Sequence, residues 1–189
     1  MSQAEFAPTP IAEVPQLVET WKSVYLKSLQ LSQQIRDHCA ETDERFDAMV
    51  VVPRGSYYPA NILSRELGFG AVDLLHACIH SYATGASERR EHFEVGQMPP
   101  PEMIRDKNLL VVEEVCDTGQ SLHFLFDYLQ TAGAGLVRTG VLHYKPERSE
   151  TDFVPDWYVT QTNDWIVYPW EVHEINGESA GVKRELTAE

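Results

Sequence analysis

Cysteine is scarce in this sequence, with three in 189 residues and no CxxC pair. A disulfide framework needs more cysteines and a zinc ribbon needs close pairs, so neither is predicted. No apolar run approaches the roughly 18 to 20 residues that cross a bilayer as a helix. The first 16 residues lack the basic start and apolar core of a secretory signal. We therefore expect a cytoplasmic protein with reduced thiols and no membrane partner.

Positive charge is also in short supply. Fifteen Lys and Arg stand against 29 Asp and Glu, which gives a formal net charge of −14. This balance repels nucleic acid unless basic residues gather on one face, and no basic run is present. We therefore expect no nucleic-acid partner. An anionic substrate would have to be bound by local cations, backbone N–H groups or a metal ion.

Length and composition indicate one domain. A chain of 189 residues with 43% hydrophobic side chains can bury one substantial core, and no internal repeat divides it. Apolar residues become sparse at both ends. We expect a flexible N-terminus over residues 1–12, a single domain over residues 13–175 and a polar tail over residues 176–189.

Strand and helix patterns alternate through the middle of the chain. Apolar runs predict buried strands at residues 48–52, 72–79, 109–112 and 136–143, and shorter aromatic strands at 157–161 and 165–168. Helices are expected after the first and third strands, ending near Gly68 and Gly133, and residues 81–107 read as a long connection. The alternation predicts an α/β fold, a Rossmann-like parallel sheet flanked by helices, with ligands at the carboxyl ends of its strands.

A further helix is predicted before the first buried strand. Apolar residues recur at helical spacing between residues 20 and 40, so one broad face should cover the sheet. That predicted face consists of Trp21, Val24, Tyr25, Leu29, Leu31 and Ile35.

The segment LLVVEEVCDTGQSL, residues 109–122, is the most informative part of the sequence. It places Glu113 and Glu114 at the end of a strand and a Thr-Gly-Gln-Ser turn at the start of a helix. A helix N-terminus presents unpaired N–H groups to a phosphate, and carboxylates can accept hydrogen bonds from sugar hydroxyls or help hold hydrated Mg²⁺. A phosphosugar fits both halves together. Either half alone fits an ordinary helix cap and loop glutamates equally well.

Other nucleotide and metal motifs are missing. No GxxxxGK[ST] is present, and the Gly pairs at residues 68–70 and 133–135 lack a third glycine and precede strands. His76 and His80 straddle a predicted strand end, and no HExxH occurs, so no structural metal is predicted.

Residues 109–121 resemble the phosphoribosyl pyrophosphate signature of type I phosphoribosyltransferases, in which four apolar residues precede an acidic pair, two apolar residues and Asp-Thr-Gly-x-Thr/Ser. The family's other parts follow in order. The PRGS of residues 53–56 is similar to the pyrophosphate loop, and Ser81-Tyr82 to the opening of the flexible catalytic loop. Lys145 and the DWIVYPWE of residues 164–171 resemble the purine-binding hood of the 6-oxopurine branch.

The resemblance spans about residues 48–171 and implies the type I phosphoribosyltransferase fold with a small C-terminal hood at about residues 145–175. It implies a purine salvage enzyme that transfers 5-phosphoribose from phosphoribosyl pyrophosphate to N9 of hypoxanthine, guanine or xanthine. Mg²⁺ would be the cofactor, and the products a nucleoside monophosphate and pyrophosphate. The resemblance also implies a homodimer or homotetramer.

The resemblance assigns a role to each matching residue. Asp117 would be the catalytic residue, acting on N7 of the purine. Ribose and phosphate would be bound by Glu113, Glu114, Asp117, Thr118, Gly119, Gln120 and Ser121. Pyrophosphate would be bound by Arg54, Gly55, Ser81 and Tyr82. Arg89 and Arg90 follow in the same long connection, where an arginine pair suits either a pyrophosphate contact or simple exposure to solvent. The purine would be bound by Lys145, Trp165, Ile166 and Glu171, and Mg²⁺ by Glu113, Glu114 and Glu171.

Two positions depart from the family's pattern. Glu114 stands where Asp is usual and is longer by one methylene, and Ser56 stands where a second glycine is common. Two other functions stay open: a sensor of phosphoribosyl pyrophosphate or nucleotide that has lost catalysis, and a phosphoribosyltransferase for another base. The acidic chain argues against a nucleic-acid-binding regulator, and Lys145 with the hood argues against another base.

Overall fold

The computed structural model describes residues 15–82 and 89–171, with the side chains of all of these except residues 80–82 and 89–93. The elements in chain order are β1 (Gln16–Val18), α1 (Trp21–Thr42), β2 (Ala48–Val51), α2 (Tyr57–Leu67), β3 (Leu74–His76), β4 (Ile79–Tyr82), β5 (Arg89–Val95), α3 (Pro101–Ile104), β6 (Leu109–Cys116), α4 (Gln120–Thr131), β7 (Val137–Tyr144), β8 (Trp157–Gln161) and β9 (Trp165–Val167).

A five-stranded parallel sheet forms the centre of the fold, with strand order β3-β2-β6-β7-β8. Helices cover both faces, so the predicted α/β architecture is confirmed. Along β6, Leu109 and Val111 pack in the same cluster as the α4 side chains, whereas Leu110 and Val112 pack with α1 and α2. The continuous apolar run is explained by this two-sided burial.

Helix α1 forms where it is predicted but buries a narrower face. Val24, Leu31 and Ile35 are buried, whereas Trp21 and Tyr25 are half exposed, so the predicted covered face is wrong at these two positions. Two small residues, Ser28 and Ser32, complete the buried face instead. Each hydroxyl donates to the backbone carbonyl four residues earlier, at 2.8 Å, and is therefore satisfied without water.

The single strand predicted at residues 72–79 is wrong. The run begins with a short 3₁₀ helix and contains two separate strands, β3 in the main sheet and β4 in a two-stranded antiparallel sheet with β5. The chain turns away from the main sheet at Cys78, whose backbone bonds to Gly96 and Gln97. The long connection predicted at residues 81–107 accordingly contains β5 and α3, while residues 83–88 lie outside the described residues.

A second, parallel pair of strands joins β1, near the start of the described chain, to β9 in the predicted hood. Strand β1 comes from the start of the described chain, and no periodic pattern predicts it because it is three residues long. Trp170 stacks between Tyr58 of α2 and Tyr168, with ring centroids 4.5 and 4.6 Å away. Through this stack the hood residues Tyr168 and Trp170 pack against the start of α2. No helix in the described part of the chain is long and apolar enough to span a membrane.

Candidate active site

Three loops meet at the carboxyl edge of the central sheet. They follow β2 at residues 53–56, β6 at residues 117–119 and β7 at residues 145–149. Because β2, β6 and β7 are adjacent and parallel, these loops emerge side by side, where α/β folds bind ligands. Of the residues predicted to bind the phosphoribose, the pyrophosphate and the base, those brought to this edge by the three loops are Arg54, Gly55, Asp117, Thr118, Gly119 and Lys145.

The acidic pair lies on β6 and is half-buried. Burial and the neighbouring Glu114 charge raise the pKa of Glu113 well above its ordinary value. Burial also raises the pKa of Glu114, although the Ser56 hydrogen bond and the Arg54 charge act in the opposite direction. Two carboxyl groups that ionise with difficulty would be stabilised by a cation or by hydroxyl donors.

Glu114 reaches the loop that follows β2. The Ser56 hydroxyl donates a hydrogen bond of 2.5 Å to Glu114 Oε2. Gly55 lies so close that a Cβ there would be 2.2 Å from Glu114 Oε1. The absence of a side chain at residue 55 therefore makes room for this carboxylate.

The loop between β6 and α4 contains the residues of the predicted phosphate cradle. Gly119 has φ +80°, a conformation that other residues seldom adopt, and α4 begins at Gln120. The segment after β7 covers this loop. The Glu150 amide donates to the Thr118 carbonyl at 2.9 Å, and the Gln120 side chain donates to Glu150 Oε2 at 2.7 Å. Thr151 Oγ1 lies 2.5 Å from the position of a Cβ on Gly119.

Asp117 is surrounded by two basic side chains from the loop after β7. Arg148 Nε donates to Asp117 Oδ1 at 2.6 Å, and Lys145 Nζ lies 3.8 Å from Asp117 Oδ2. Lys145 is only 4% exposed, and burial lowers its pKa despite the opposing charge of Asp117. Its ammonium lies 5.8 Å from the centroid of the Trp165 ring. A donor, a carboxylate and a flat aromatic surface are thus neighbours.

The rest of the hood supplies backbone and carboxylate groups. Ile166 is buried, and its side chain belongs to the core between the sheet, α1 and α2. The Tyr168 amide lies 3.4 Å from Glu171 Oε2, and the Glu171 charge acts on Lys145. Glu171 is therefore near the predicted base site.

A chain of buried polar groups runs beneath the acidic pair. The Tyr168 hydroxyl donates to the Glu114 carbonyl at 3.0 Å and lies 2.8 Å from His143 Nδ1. His143 Nε2 lies 2.9 Å from Glu19 Oε1, and Lys27 also binds Glu19. Burial lowers the pKa of His143 to about 4. This chain connects the hood, α1, β7 and β6.

Some functional candidates were predicted by sequence reasoning and others were missed. Ser81 and Tyr82 lie on β4, and Arg89 and Arg90 on β5, but their side chains lie outside the described residues. Arg148 was missed; its one signal is a position three residues after Lys145. The buried polar chain was missed because its members are far apart in sequence. Cys116 is buried in the core on the α4 side of the sheet, and burial raises its pKa to about 12.

The parallel sheet with helices on both faces, and with an acidic pair beside a glycine-containing turn at the start of a helix, places the chain among α/β proteins whose ligands bind at the carboxyl edge of the sheet. The chain belongs to the phosphoribosyltransferase family, because residues 18–174 match the family model described as "Phosphoribosyl transferase domain". The family expected from the signature is therefore confirmed.

Similarity to known phosphoribosyltransferases agrees with this family membership. The xanthine-guanine phosphoribosyltransferase of Idiomarina loihiensis is 31% identical over 133 residues, which cover 69% of this chain and 74% of that protein. The structure of a purine phosphoribosyltransferase from Pyrococcus horikoshii superposes with a TM-score of 0.64 at 26% identity, covering 90% and 99% of the two chains. The xanthine-guanine-hypoxanthine enzyme of Helicobacter pylori shares the fold, with a TM-score of 0.66 at 22% identity over 85% and 97% of the two chains.

Proposed function

We propose that this protein transfers 5-phosphoribose from phosphoribosyl pyrophosphate to N9 of a 6-oxopurine, as a purine salvage enzyme. The observation that carries this proposal is the buried Lys145 ammonium, 3.8 Å from Asp117 and beside the ring of Trp165. The similarity to the xanthine-guanine phosphoribosyltransferase of Idiomarina loihiensis supports the same reaction class.

In the proposed reaction the bond between C1 of the ribose and the pyrophosphate oxygen breaks, and a bond from N9 of the base to C1 forms. The ribose gains positive charge and the leaving group gains negative charge, so catalysis depends on positioning and electrostatic stabilisation. Asp117 is assigned as the catalytic residue, which accepts the proton that the purine loses. Its contacts with Arg148 and Lys145 hold the carboxylate in place.

Specificity for an oxo group at position 6 is assigned to Lys145. An ammonium group only donates hydrogen bonds, so it suits a carbonyl and disfavours the amino group of adenine. Trp165 provides a surface for stacking, and Ile166 and Glu171 are assigned to the edge of the base.

The donor is assigned to the loops at the carboxyl edge of the sheet. The 5-phosphate is assigned to residues 117–121, where the N-terminus of the 12-residue helix α4 offers backbone donors. The acidic pair, Glu113 and Glu114, is assigned as a unit to the ribose and its metal ion. Arg54, Gly55, Ser81 and Tyr82 are assigned to the pyrophosphate.

Mg²⁺ is proposed as the cofactor, held by Glu113, Glu114 and Glu171. The site fits such an ion because both glutamates of the pair have raised pKa values that a divalent cation would lower. In the described part of the chain no three His, Cys, Asp or Glu side chains converge on one point, so Glu113, Glu114 and Glu171 would not all contact the ion directly, and substrate oxygens and water would complete the coordination. When bound, Mg²⁺ neutralises charge on the pyrophosphate.

The proposal extends to the protein's partners and setting. We propose that the substrates are phosphoribosyl pyrophosphate and a purine base, with no nucleic-acid or membrane partner, in a cytoplasmic homodimer or homotetramer. We further propose one domain over residues 13–175, including a hood at about residues 145–175. Terminal segments at residues 1–12 and 176–189 would flank it.

The product tests this function. The protein is incubated with phosphoribosyl pyrophosphate, Mg²⁺ and one base at a time, and the nucleotide is identified by chromatography and mass spectrometry. Nucleoside monophosphate from hypoxanthine, guanine or xanthine is the expected result, and the relative rates rank the bases. Product from adenine or uracil alone would contradict the assignment of Lys145. If phosphoribosyl pyrophosphate binds but no nucleotide forms with any base, the protein would be a sensor of phosphoribosyl pyrophosphate that lacks catalysis.

A further inference from the structure

The two residues that depart from the family's pattern contact each other. The Ser56 hydroxyl donates to Glu114 Oε2 at 2.5 Å across a sequence separation of 58 residues. Ser56 is completely buried and Glu114 is half-buried, so the donating hydroxyl itself has no access to bulk water. The Glu114 side chain spans the distance from β6 to the start of α2.

The Ser56 hydroxyl does not cap the helix at whose N-terminus it lies. Ser56 occupies the N-cap of α2, where a serine side chain normally accepts a hydrogen bond from the first turn. It makes no such capping bond in this protein. The hydroxyl donates instead to Glu114, so the residue connects the loop after β2 to the acidic pair.

The members of the acidic pair extend toward different faces of the sheet. Successive side chains of a strand point to opposite faces of its sheet. On β6, Val111 packs on the α4 side and Val112 on the α1 and α2 side, and the next two residues continue this alternation. Glu113 therefore shares the α4 side with the phosphate cradle. Glu114 shares the α2 side with Ser56 and Gly55, in agreement with its observed contacts.

We propose that Glu114 is a positioning residue for the pyrophosphate loop, residues 53–56, and that Glu113 alone of the pair serves the ribose. Under this inference Glu113 is the member of the pair that contacts the ribose and its metal ion, and Glu114 acts through the loop instead; the inference rests on the proposed function. The Glu114 carboxylate lies against Gly55 and accepts from Ser56, so it fixes the backbone that carries Arg54. The loop thereby keeps its shape before the donor arrives.

Two ligands separate the roles. Mg²⁺-pyrophosphate is a probe of the pyrophosphate loop without ribose, and guanosine monophosphate is a probe of the ribose, phosphate and base sites without pyrophosphate. Their dissociation constants are measured by calorimetry on the full chain for Ser56→Ala, Glu114→Asp, the double variant and Glu113→Gln. Ser64→Ala is the matched control, because it removes a hydroxyl from the same helix that donates only to the Asn61 carbonyl.

Glu114→Asp restores the family's usual residue but withdraws the carboxylate from Ser56. We expect Ser56→Ala and Glu114→Asp each to weaken pyrophosphate binding about tenfold, the size of one lost charge-assisted hydrogen bond. The double variant should also lose no more than about tenfold in pyrophosphate affinity relative to the wild type, because both changes break the same contact. Nucleotide binding should change less than about twofold in all three, whereas Glu113→Gln should weaken it. Ser64→Ala should bind both ligands as the wild type does.

Weaker nucleotide binding by Glu114→Asp, with pyrophosphate binding unchanged, would overturn the proposal and return Glu114 to the ribose. Multiplicative losses in the double variant would also overturn it, because the two residues would then act separately. If Glu114→Asp fails to fold in thermal unfolding, Ser56→Ala decides on its own. A wild-type protein that binds neither ligand would overturn the proposed function itself, an outcome distinct from these.

Discussion

Lys145 Nζ lies 3.8 Å from Asp117 Oδ2, and both side chains are largely shielded from solvent. The two residues come from the ends of adjacent parallel strands and are 28 positions apart in sequence. One is assigned to the oxo group of the base and the other to its proton. Their separation is short enough for a single bound purine to contact both.

Replacing Lys145 with Gln tests base specificity. A glutamine amide both donates and accepts, so it tolerates an amino group that an ammonium disfavours. We expect kcat/KM for hypoxanthine to fall about 10- to 100-fold, from the loss of a charged donor, and the preference over adenine to narrow. Steady-state kinetics with both bases measure the change. An unchanged preference would remove Lys145 from the recognition of position 6.

The lowered pKa of Lys145 predicts a dependence on pH. Its ordinary value is 10.5, and burial lowers it, so the ammonium loses its proton at a lower pH than an exposed lysine does. The neutral amine no longer favours an oxo group, so KM for hypoxanthine should rise as the pH increases from 7 to 10. The Lys145→Gln variant is the control, since it retains any titration of the base itself. Parallel profiles for the two proteins would contradict the prediction.

Gly119 and Gly68 provide a matched pair for the phosphate cradle. Both have φ near +80°, so Ala at either position should cost about 1 kcal/mol of folding free energy from backbone strain. Only at Gly119 does an added Cβ meet a neighbour, Thr151 Oγ1 at 2.5 Å, whereas Gly68 has nothing within 4 Å. Gly119→Ala should therefore raise KM for phosphoribosyl pyrophosphate, and Gly68→Ala should not. Chemical denaturation and kinetics on both variants make the comparison.

His143 predicts a loss of stability in mild acid. Burial lowers its pKa from the ordinary 6.5 to about 4, so the unfolded chain binds a proton between these values and the folded protein does not. Stability therefore falls as the pH decreases through this window, by about 2 kcal/mol between pH 7 and pH 5. Glu19 has a lowered pKa, so its stabilising charge is lost only below the ordinary value of 4.5. Urea unfolding of the wild type and His143→Gln isolates the histidine contribution, which the variant should lack.

Sequence patterns predicted the elements that carry the chemistry. The four-residue apolar run before the acidic pair predicts β6, because such runs are typical of strands buried on both faces. The glycine after Thr118 predicts the turn at the start of α4, because glycine readily adopts a positive φ. The predicted strand at residues 72–79 failed because an apolar run does not reveal where a chain leaves one sheet for another.

Contacts between distant residues could not be predicted. Ser56 and Glu114 were each recognised as unusual, but only the fold brings them together at 2.5 Å. Trp21 and Tyr25 have the spacing of a covered face, yet two serines with satisfied hydroxyls occupy the buried positions of α1. Helical periodicity does not distinguish a face that lies against the core from one that remains exposed.

The most direct test of phosphoribosyl transfer is pyrophosphate release from phosphoribosyl pyrophosphate with Mg²⁺, measured in parallel with hypoxanthine, guanine, xanthine, adenine and uracil. Asp117→Asn is the matched variant, since it keeps the shape of the side chain and removes its basicity. We predict turnover with 6-oxopurines only, reduced about 10²- to 10⁴-fold in the variant. No pyrophosphate release with any of the five bases would contradict the proposed function. Full activity in Asp117→Asn would contradict the role of Asp117.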